Sequence, residues 1–390
     1  MVKKQKSFFI LLAILIGMGV GILIWHFLGP SLGRGIFYYK VEGDKADLFL
    51  VKGQGEAKKI ISFSAEEVDL GKYKPPRRSY ISHNGKQMVY FKKTGEVPIE
   101  ELNQDESIVV SRIIFEPILV NLNNNKEHKI NQPIESSGLL FSPDDSYIVW
   151  VKQIEESTYQ SIDQSGKKRE VWISKSNGEG AKFLANFDEN VILLKRWVGN
   201  YIYFQGLWDT TLKSLGRINI KTKKVDYLVP QGCEKFLENC QNIEFSSNGR
   251  YFLYEIYNKT REKEITELYL GDFEKREFRT ILTTDRISDR LWLNNKKQFF
   301  YTEQEMVKEE EKGKELREKI HLVDIDKEIE GIIYTGSYIS QLTIDPNGRY
   351  LYFLEKEKEG ENFKLNQLDI RTREVKTILT GDYNHILLIQ

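Results

Sequence analysis

The chain has 390 residues, 40% of them hydrophobic and 12% aromatic, which is enough apolar material for a large core and too much for a disordered or fibrous protein. Lys plus Arg number 57 and Asp plus Glu number 57, so the formal net charge is zero. That balance lacks the basic footprint of a nucleic-acid binder, and no nucleic-acid partner is expected.

The first residues carry a targeting signal. Lys3, Lys4 and Lys6 precede an apolar run from Ser7 to Leu28 whose only ionisable side chain is His26. Its 22 residues would span roughly 33 Å as a helix, enough to cross a bilayer core of about 30 Å. A cleaved signal peptide has a shorter apolar core and a small-residue cleavage site, whereas this run ends in "WHFLGPSLG", so an uncleaved anchor is favoured. The organisation expected is a basic cytoplasmic tail over 1–6, a single membrane span over 7–28, a linker over 29–34 and an extracytoplasmic domain over 35–390. Gly17 and Gly21 have the small-xxx-small spacing of close helix pairs, which ordinary glycine enrichment in membrane helices also explains.

Beyond the linker one pattern recurs. "YISHNGKQMVYFKK", "LLFSPDDSYIVWVK", "IEFSSNGRYFLYEIY" and "LTIDPNGRYLYFLE" each read as strand, tight turn, strand. Aligned on the aromatic of the second strand, the units fall at Tyr90, Trp150, Phe204, Tyr254, Tyr301 and Phe353, spaced by 47 to 60 residues. Each hairpin is followed by two more apolar segments, so each unit is a four-stranded antiparallel meander, and repeats of this kind build propeller blades. The turn residues are Asn84-Gly85, Asp144-Asp145, Asn248-Gly249 and Asn347-Gly348. Their expected role is structural, since Gly, Asn and Asp tolerate the positive φ that a tight hairpin needs. "RWVGNYIYF" has a shortened turn and "LWLNNKKQFFY" lacks the glycine, which makes blades 4 and 6 the weakest matches.

The chain ends complete the pattern. Residues 35–64 hold three segments of a unit and lack the first, while the C-terminal "NHILLIQ" is a lone apolar strand. If that strand supplies the missing innermost position of the first blade, the ring closes with seven blades and leaves no sheet edge open there.

"FSPDDSYIVW", "FSSNGRYFLY" and "IDPNGRYLYF" resemble the repeat motif of TolB-like, WD-repeat-like propellers and of the propellers of dipeptidyl-peptidase type proteins. The resemblance implies an all-β, seven-bladed propeller over 35–390. It says little about activity, because such propellers serve as binding scaffolds, peptidase gates and enzymes.

Searches for chemistry return weak patterns. "GPSLG" at 29–33 fits a nucleophile elbow, but Ser31 follows the membrane run and not a strand. Asp324, Asp326, Glu328 and Glu330 are spaced like a calcium loop, yet Ile329 and Thr335 occupy the positions that an EF-hand gives to glycine and a bidentate glutamate, so acidic turn residues explain them better. His26, His83, His128, His321 and His385 stand singly. No catalytic residue, metal or cofactor is expected. Cys233 and Cys240 are the only cysteines; outside the cytoplasm a disulfide between them is favoured, with two free buried thiols as the alternative.

In such blades the connections between second and third strands share one face. Here those over 92–112, 152–168 and 303–318 are long, so this face is expected to meet a protein partner. Residues 303–319 alternate in charge and fit either a short helix or a solvated projection. The expected function is that of a membrane-anchored scaffold at the cell membrane that binds protein and performs no catalysis. The alternatives are a metal-dependent propeller hydrolase and a peptide- or glycan-binding channel. Several Asp, Glu, Asn or His side chains converging on the axis would favour the enzyme, and a small or apolar lining would favour the scaffold.

Overall fold

A computed structural model describes residues 36–388 apart from 43–44, 52–56, 65–78, 103–106, 153–168, 190, 209–210, 229–239, 260–263, 285, 294–296, 310–312, 346, 357–361 and 382–384. The expected membrane span over 7–28, Ser31 and Cys233 lie outside the described residues. Among the described residues no helix is long and apolar enough to cross a membrane.

The described strands form seven four-stranded antiparallel sheets. Blade 1 holds β1 (Ile36–Glu42), β2 (Lys45–Val51) and β3 (Lys58–Ser64). Blade 2 holds β4 (Ser79–Ile81), β5 (Gln87–Leu102), β6 (Ser107–Asn121) and β7 (Lys126–Lys129). Blade 3 holds β8 (Ile134–Phe141), β9 (Tyr147–Lys152), β10 (Arg169–Lys175) and β11 (Lys182–Phe187). Blade 4 holds β12 (Val191–Val198), β13 (Tyr201–Trp208), β14 (Thr211–Asn219) and β15 (Val225–Leu228). Blade 5 holds β16 (Cys240–Phe245), β17 (Tyr251–Lys259), β18 (Glu264–Asp272) and β19 (Glu277–Thr284). Blade 6 holds β20 (Ile287–Trp292), β21 (Gln298–Glu309), β22 (Gly313–Asp324) and β23 (Ile329–Gly336). Blade 7 holds β24 (Ser340–Ile344), β25 (Tyr350–Glu355), β26 (Phe363–Asp369) and β27 (Val375–Gly381). The last strand, β28 (His385–Leu388), pairs with β1 and completes blade 1, setting Leu388 opposite Ile36 and His385 opposite Tyr39. The architecture is therefore a seven-bladed propeller whose first blade is shared between the two ends of the chain.

The second strand of each blade explains the runs of consecutive aromatics. Side chains alternate across a strand, so a strand buried on both faces is apolar at every position. In β17, Phe252 and Tyr254 pack towards blade 4 with Tyr203 and Leu215, while Tyr251 and Leu253 pack towards blade 6 with Trp292 and Phe299. Every inter-blade interface has such a core. Blades 1 and 2 join through Tyr39, Leu48 and Tyr90, blades 3 and 4 through Val149, Phe187 and Phe204, and blades 6 and 7 through Phe300, Ile320 and Phe353. Between blades 7 and 1 the apolar contact splits into two small clusters, one around Ile36 with Leu354 and Leu365 and one around Tyr38 with Val51.

The two weakest sequence matches form full blades. The shortened turn of blade 4 is a two-residue hairpin with Val198 opposite Tyr201 and Gly199 at φ 53°, a conformation glycine adopts readily. Blade 6 pairs Trp292 with Phe299.

Candidate functional site

Two sets of turns share the face away from the second-to-third connections. In the first, Gly85, Asp145, Gly249 and Gly348 sit at φ 63°, 60°, 71° and 68°. A side chain three residues earlier anchors each loop. The Ser82, Ser142 and Ser246 hydroxyls accept the N–H of Gln87, Tyr147 and Tyr251, and Asp345 accepts that of Tyr350. Asn84 and Asn248 accept N–H groups from Lys86 and Arg250, Asp144 accepts that of Ser146, and Asn347 donates its own N–H to Asp345. Asp145 does more than turn the chain. Buried beside the neighbouring blade, its carboxylate accepts the N–H of His83 at 2.7 Å and of Asn84 at 2.8 Å, and it lies 3.0 Å from the His83 ring.

The second set has no glycine to announce it. Asn121, Asn219, Asp272, Asp324 and Asp369 each end a third strand, and their side chains accept N–H groups two or three residues on. Four residues later the backbone is left-handed at Asn125, Lys223, Arg276, Glu328 and Arg373. The apolar residue after each cap, Leu122, Ile220, Phe273, Ile325 or Ile370, donates its N–H to a carbonyl of the first turn, tying the two turns together. The acidic run from Asp324 to Glu330 is this turn in blade 6: Asp324 accepts from Gln298 and Lys327, and Asp326 pairs with Lys297 at 2.7 Å.

The axis presents different chemistry. The first strands β4, β8, β12, β16, β20, β24 and β28 lie each against the next and line the centre of the ring. Five of them carry a bulge, between Ile134 and Leu139, Leu194 and Arg196, Gln241 and Glu244, Ile287 and Asp289, and Ser340 and Thr343. A bulge leaves a residue out of the ladder and re-aims its neighbours. At or beside the bulges of blades 4 to 6 stand Lys195, Arg196, Glu244, Ser288, Asp289 and Arg290. Lys195, Glu244 and Asp289 are enclosed by protein atoms yet only half-buried, as befits side chains that line an internal channel.

Most of these charges are committed. Arg290 pairs with Glu255, Arg196 donates to the Phe245 carbonyl at 2.8 Å, and Asp289 accepts the N–H of Leu342 at 2.7 Å and of Arg290 at 2.8 Å. The side chains of Lys195 and Glu244 make no hydrogen bond or ion pair at contact distance among the described residues, although each feels the other's charge. Burial pushes the Lys195 ammonium below its ordinary range, with Glu244 opposing. Burial pushes the Glu244 carboxyl up, against the pull of Lys195, Arg290 and Arg196. Oppositely perturbed groups in a cleft mark candidate functional sites. The axis is thus neither a carboxylate cage nor an apolar plug, and among the described residues no group of three or more His, Cys, Asp or Glu is arranged to hold a metal.

On the opposite face, two of the expected long loops are strands. β5 runs on to Leu102 and β6 begins at Ser107, with Lys92 to Leu102 paired to Glu116 to Ser107 beyond the reach of β4 and β7. β21 and β22 likewise continue as a two-stranded ribbon from Glu305–Arg317 to Glu309–Gly313. The short helix allowed over 303–319 does not form. The alternating charges that suit helical i, i+4 pairs serve here across strands, as where Lys319 meets Glu305 at 2.9 Å. Of the third long connection, 153–168 lies outside the described residues, and so do the side chain of Cys240 and the expected disulfide.

No protein-family model matches the chain, and no curated protein does. Solved structures match through the fold. Prolyl oligopeptidase B from Galerina marginata is 10% identical over 91% of this chain and 52% of that one, with TM-score 0.55, so this chain spans about half its length. Oligogalacturonate lyase from Vibrio parahaemolyticus is 11% identical over 84% of this chain and 88% of that one, with TM-score 0.51. TolB from Acinetobacter baumannii aligns at 14% identity over 76% of this chain and 69% of that one, with TM-score 0.38. Identities this low carry the fold alone.

Proposed function

We propose that the protein is a membrane-anchored, extracytoplasmic propeller that binds a protein partner on the face bearing the ribbons. The observation that carries this reading is the pair of two-stranded ribbons, in blades 2 and 6, that leave the same face of the ring and extend past the four-stranded part of their blades. Projections on a rigid scaffold are where recognition concentrates. Anchoring rests on the lysines before the apolar run over 7–28. The test places photo-crosslinking residues at Ile99 and Val307 on the ribbons and at Asn124 and Lys275 on the turn face, in intact membranes. Discrete adducts are expected from the ribbon positions alone. Equal labelling of both faces rejects the reading.

A second reading, a polar peptide or glycan held on the axis, is favoured by the uncommitted Lys195 and Glu244. Enzymatic use of the pair would extend it. The fold does not choose, because propellers host both roles. Ligands that raise the melting temperature of the wild type and leave Lys195→Met unmoved would support it.

A further inference from the structure

The chain enters the ring on the turn face. β1 is the second strand of blade 1, and its first residue, Ile36, stands opposite Leu388 at the end of the innermost strand. In the other six blades that position belongs to the hairpin turn. Seven residues, 29–35, separate Leu28, where the apolar run ends, from Ile36. Their eight peptide steps reach at most about 28 Å even when fully extended. With the ribbons towards the bilayer, the linker would have to pass β1, roughly 20 Å long, and the blade 2 ribbon from Lys92 to Leu102, which adds roughly 33 Å. It is too short for that, so an anchored chain holds its turn face towards the lipid.

The arc of turns beside the linker is basic. Blades 7, 1 and 2 present Lys58, Lys86, Lys126, Arg371, Arg373 and Lys376, all exposed and without an ion pair among the described residues. The acids of the same turns are fewer and mostly engaged. Asp345 accepts the N–H groups of Arg349 and Tyr350, Asp369 pairs with Arg349, and Glu127 accepts from Tyr90, which leaves Glu374. Blade 6, next along, neutralises its own turn, with Asp324 on Lys327, Asp326 on Lys297 and Glu328 on Arg279. Across the ring, Lys221, Lys223 and Lys224 of blade 4 are exposed on the same face. Ile329 and Val375, which begin β23 and β27 there, are exposed aliphatics. Cations interspersed with exposed apolar side chains are what a membrane-surface contact uses.

We propose that the turn face lies against the bilayer, that its basic arc contacts the headgroups of anionic phospholipids, and that the ribbons point away from the membrane. This rests on the anchored reading above and deepens it, because it leaves the ribbon face open to a partner while the opposite face is covered by lipid. Electrostatic attraction to anionic headgroups falls off within a Debye length, so the contact weakens as salt rises.

The test reconstitutes the full chain into phosphatidylcholine vesicles with and without phosphatidylglycerol, with a headgroup-borne quencher in the lipid. A fluorescent amino acid is placed at Asn124 on the turn face or at Val307 on a ribbon. Quenching at Asn124 is expected to exceed that at Val307 several-fold in the anionic vesicles, and to fall in neutral lipid, at high salt and in the triple variant Lys86→Glu, Lys126→Glu, Arg371→Glu. The ribbon changes Lys308→Glu and Lys314→Glu should leave it unmoved. If the triple variant fails to fold, the lipid and salt comparisons on the wild type decide. Equal quenching at the two positions overturns the proposal, and so does quenching at Asn124 that is indifferent to lipid charge and salt. Alkaline extraction separates the two readings: a chain released from the vesicles defeats the anchor and this proposal together, whereas a retained chain with equal quenching defeats this proposal alone.

Discussion

Gly249 and Gly348 occupy the same place in the repeat, yet the structure asks different things of them. Both are left-handed, at φ 71° and 68°, where any side chain costs about 1–2 kcal/mol. At Gly348 an added Cβ would meet only the Leu293 side chain, nearest at an ordinary 3.5 Å. At Gly249 it would meet the ring of Tyr203 from blade 4 at 2.4 Å, inside a core that also holds Phe245 and Phe273. Gly348→Ala should therefore show the backbone cost alone, and Gly249→Ala should cost roughly 1–3 kcal/mol more by overpacking. Denaturant midpoints of the two variants measure this, and equal losses would mean that Tyr203 yields without strain. The glycines are visible in the sequence as turn formers; the aromatic that makes one of them indispensable comes from another blade.

At the scale of the element, the turn from third to fourth strand shows how much work a single carboxylate does. The N–H of Thr372 holds the Asp369 carboxyl below its ordinary range, burial opposes, and Arg349 and the Arg371 N–H reinforce the shift. Arg349 reaches it from the first turn at 3.0 Å. A carboxyl depressed in the folded state contributes stability that is present above its unfolded value and is lost as pH falls through its folded value. Asp369→Asn keeps an amide-accepting oxygen and loses the charge. Thermal melts should show the wild type more stable at neutral pH, with the gap closing as the pH drops below about 4, the ordinary aspartate range. A gap independent of pH would assign the effect to geometry and not to charge. The same cap recurs at Asn121, Asn219, Asp272 and Asp324. It is readable as an Asn or Asp followed by an apolar residue, but the left-handed position is filled by Asn, Lys, Arg or Glu, so it lacks the glycine that exposes the first turn.

The whole ring depends on one short strand. β28 supplies the innermost position of blade 1 through four residue pairs, and the interface it stands beside has the most divided apolar core of the seven. Deleting residues 385–390 uncovers an edge of β1, so the chain should melt several degrees lower and associate through that edge. Calorimetry and light scattering on the truncated protein test this together. An unchanged melting temperature and a monomer would show that the ring holds without its closing strand.

The sequence by itself determined the repeat, the blade number, the closure by "NHILLIQ" and the hairpin turns. Strand alternation, aromatic runs and positive-φ residues are local properties that each unit states again. Tertiary structure alone decided that 92–102 and 305–309 are strands, because a ribbon exists only once its partner is in register. It also decided that Lys195 and Glu244 meet on the axial strands, since the bulges beside them arise where the first strands must crowd around one centre. Residues fifty apart in the chain share those sites, and no spacing within a single repeat records that meeting.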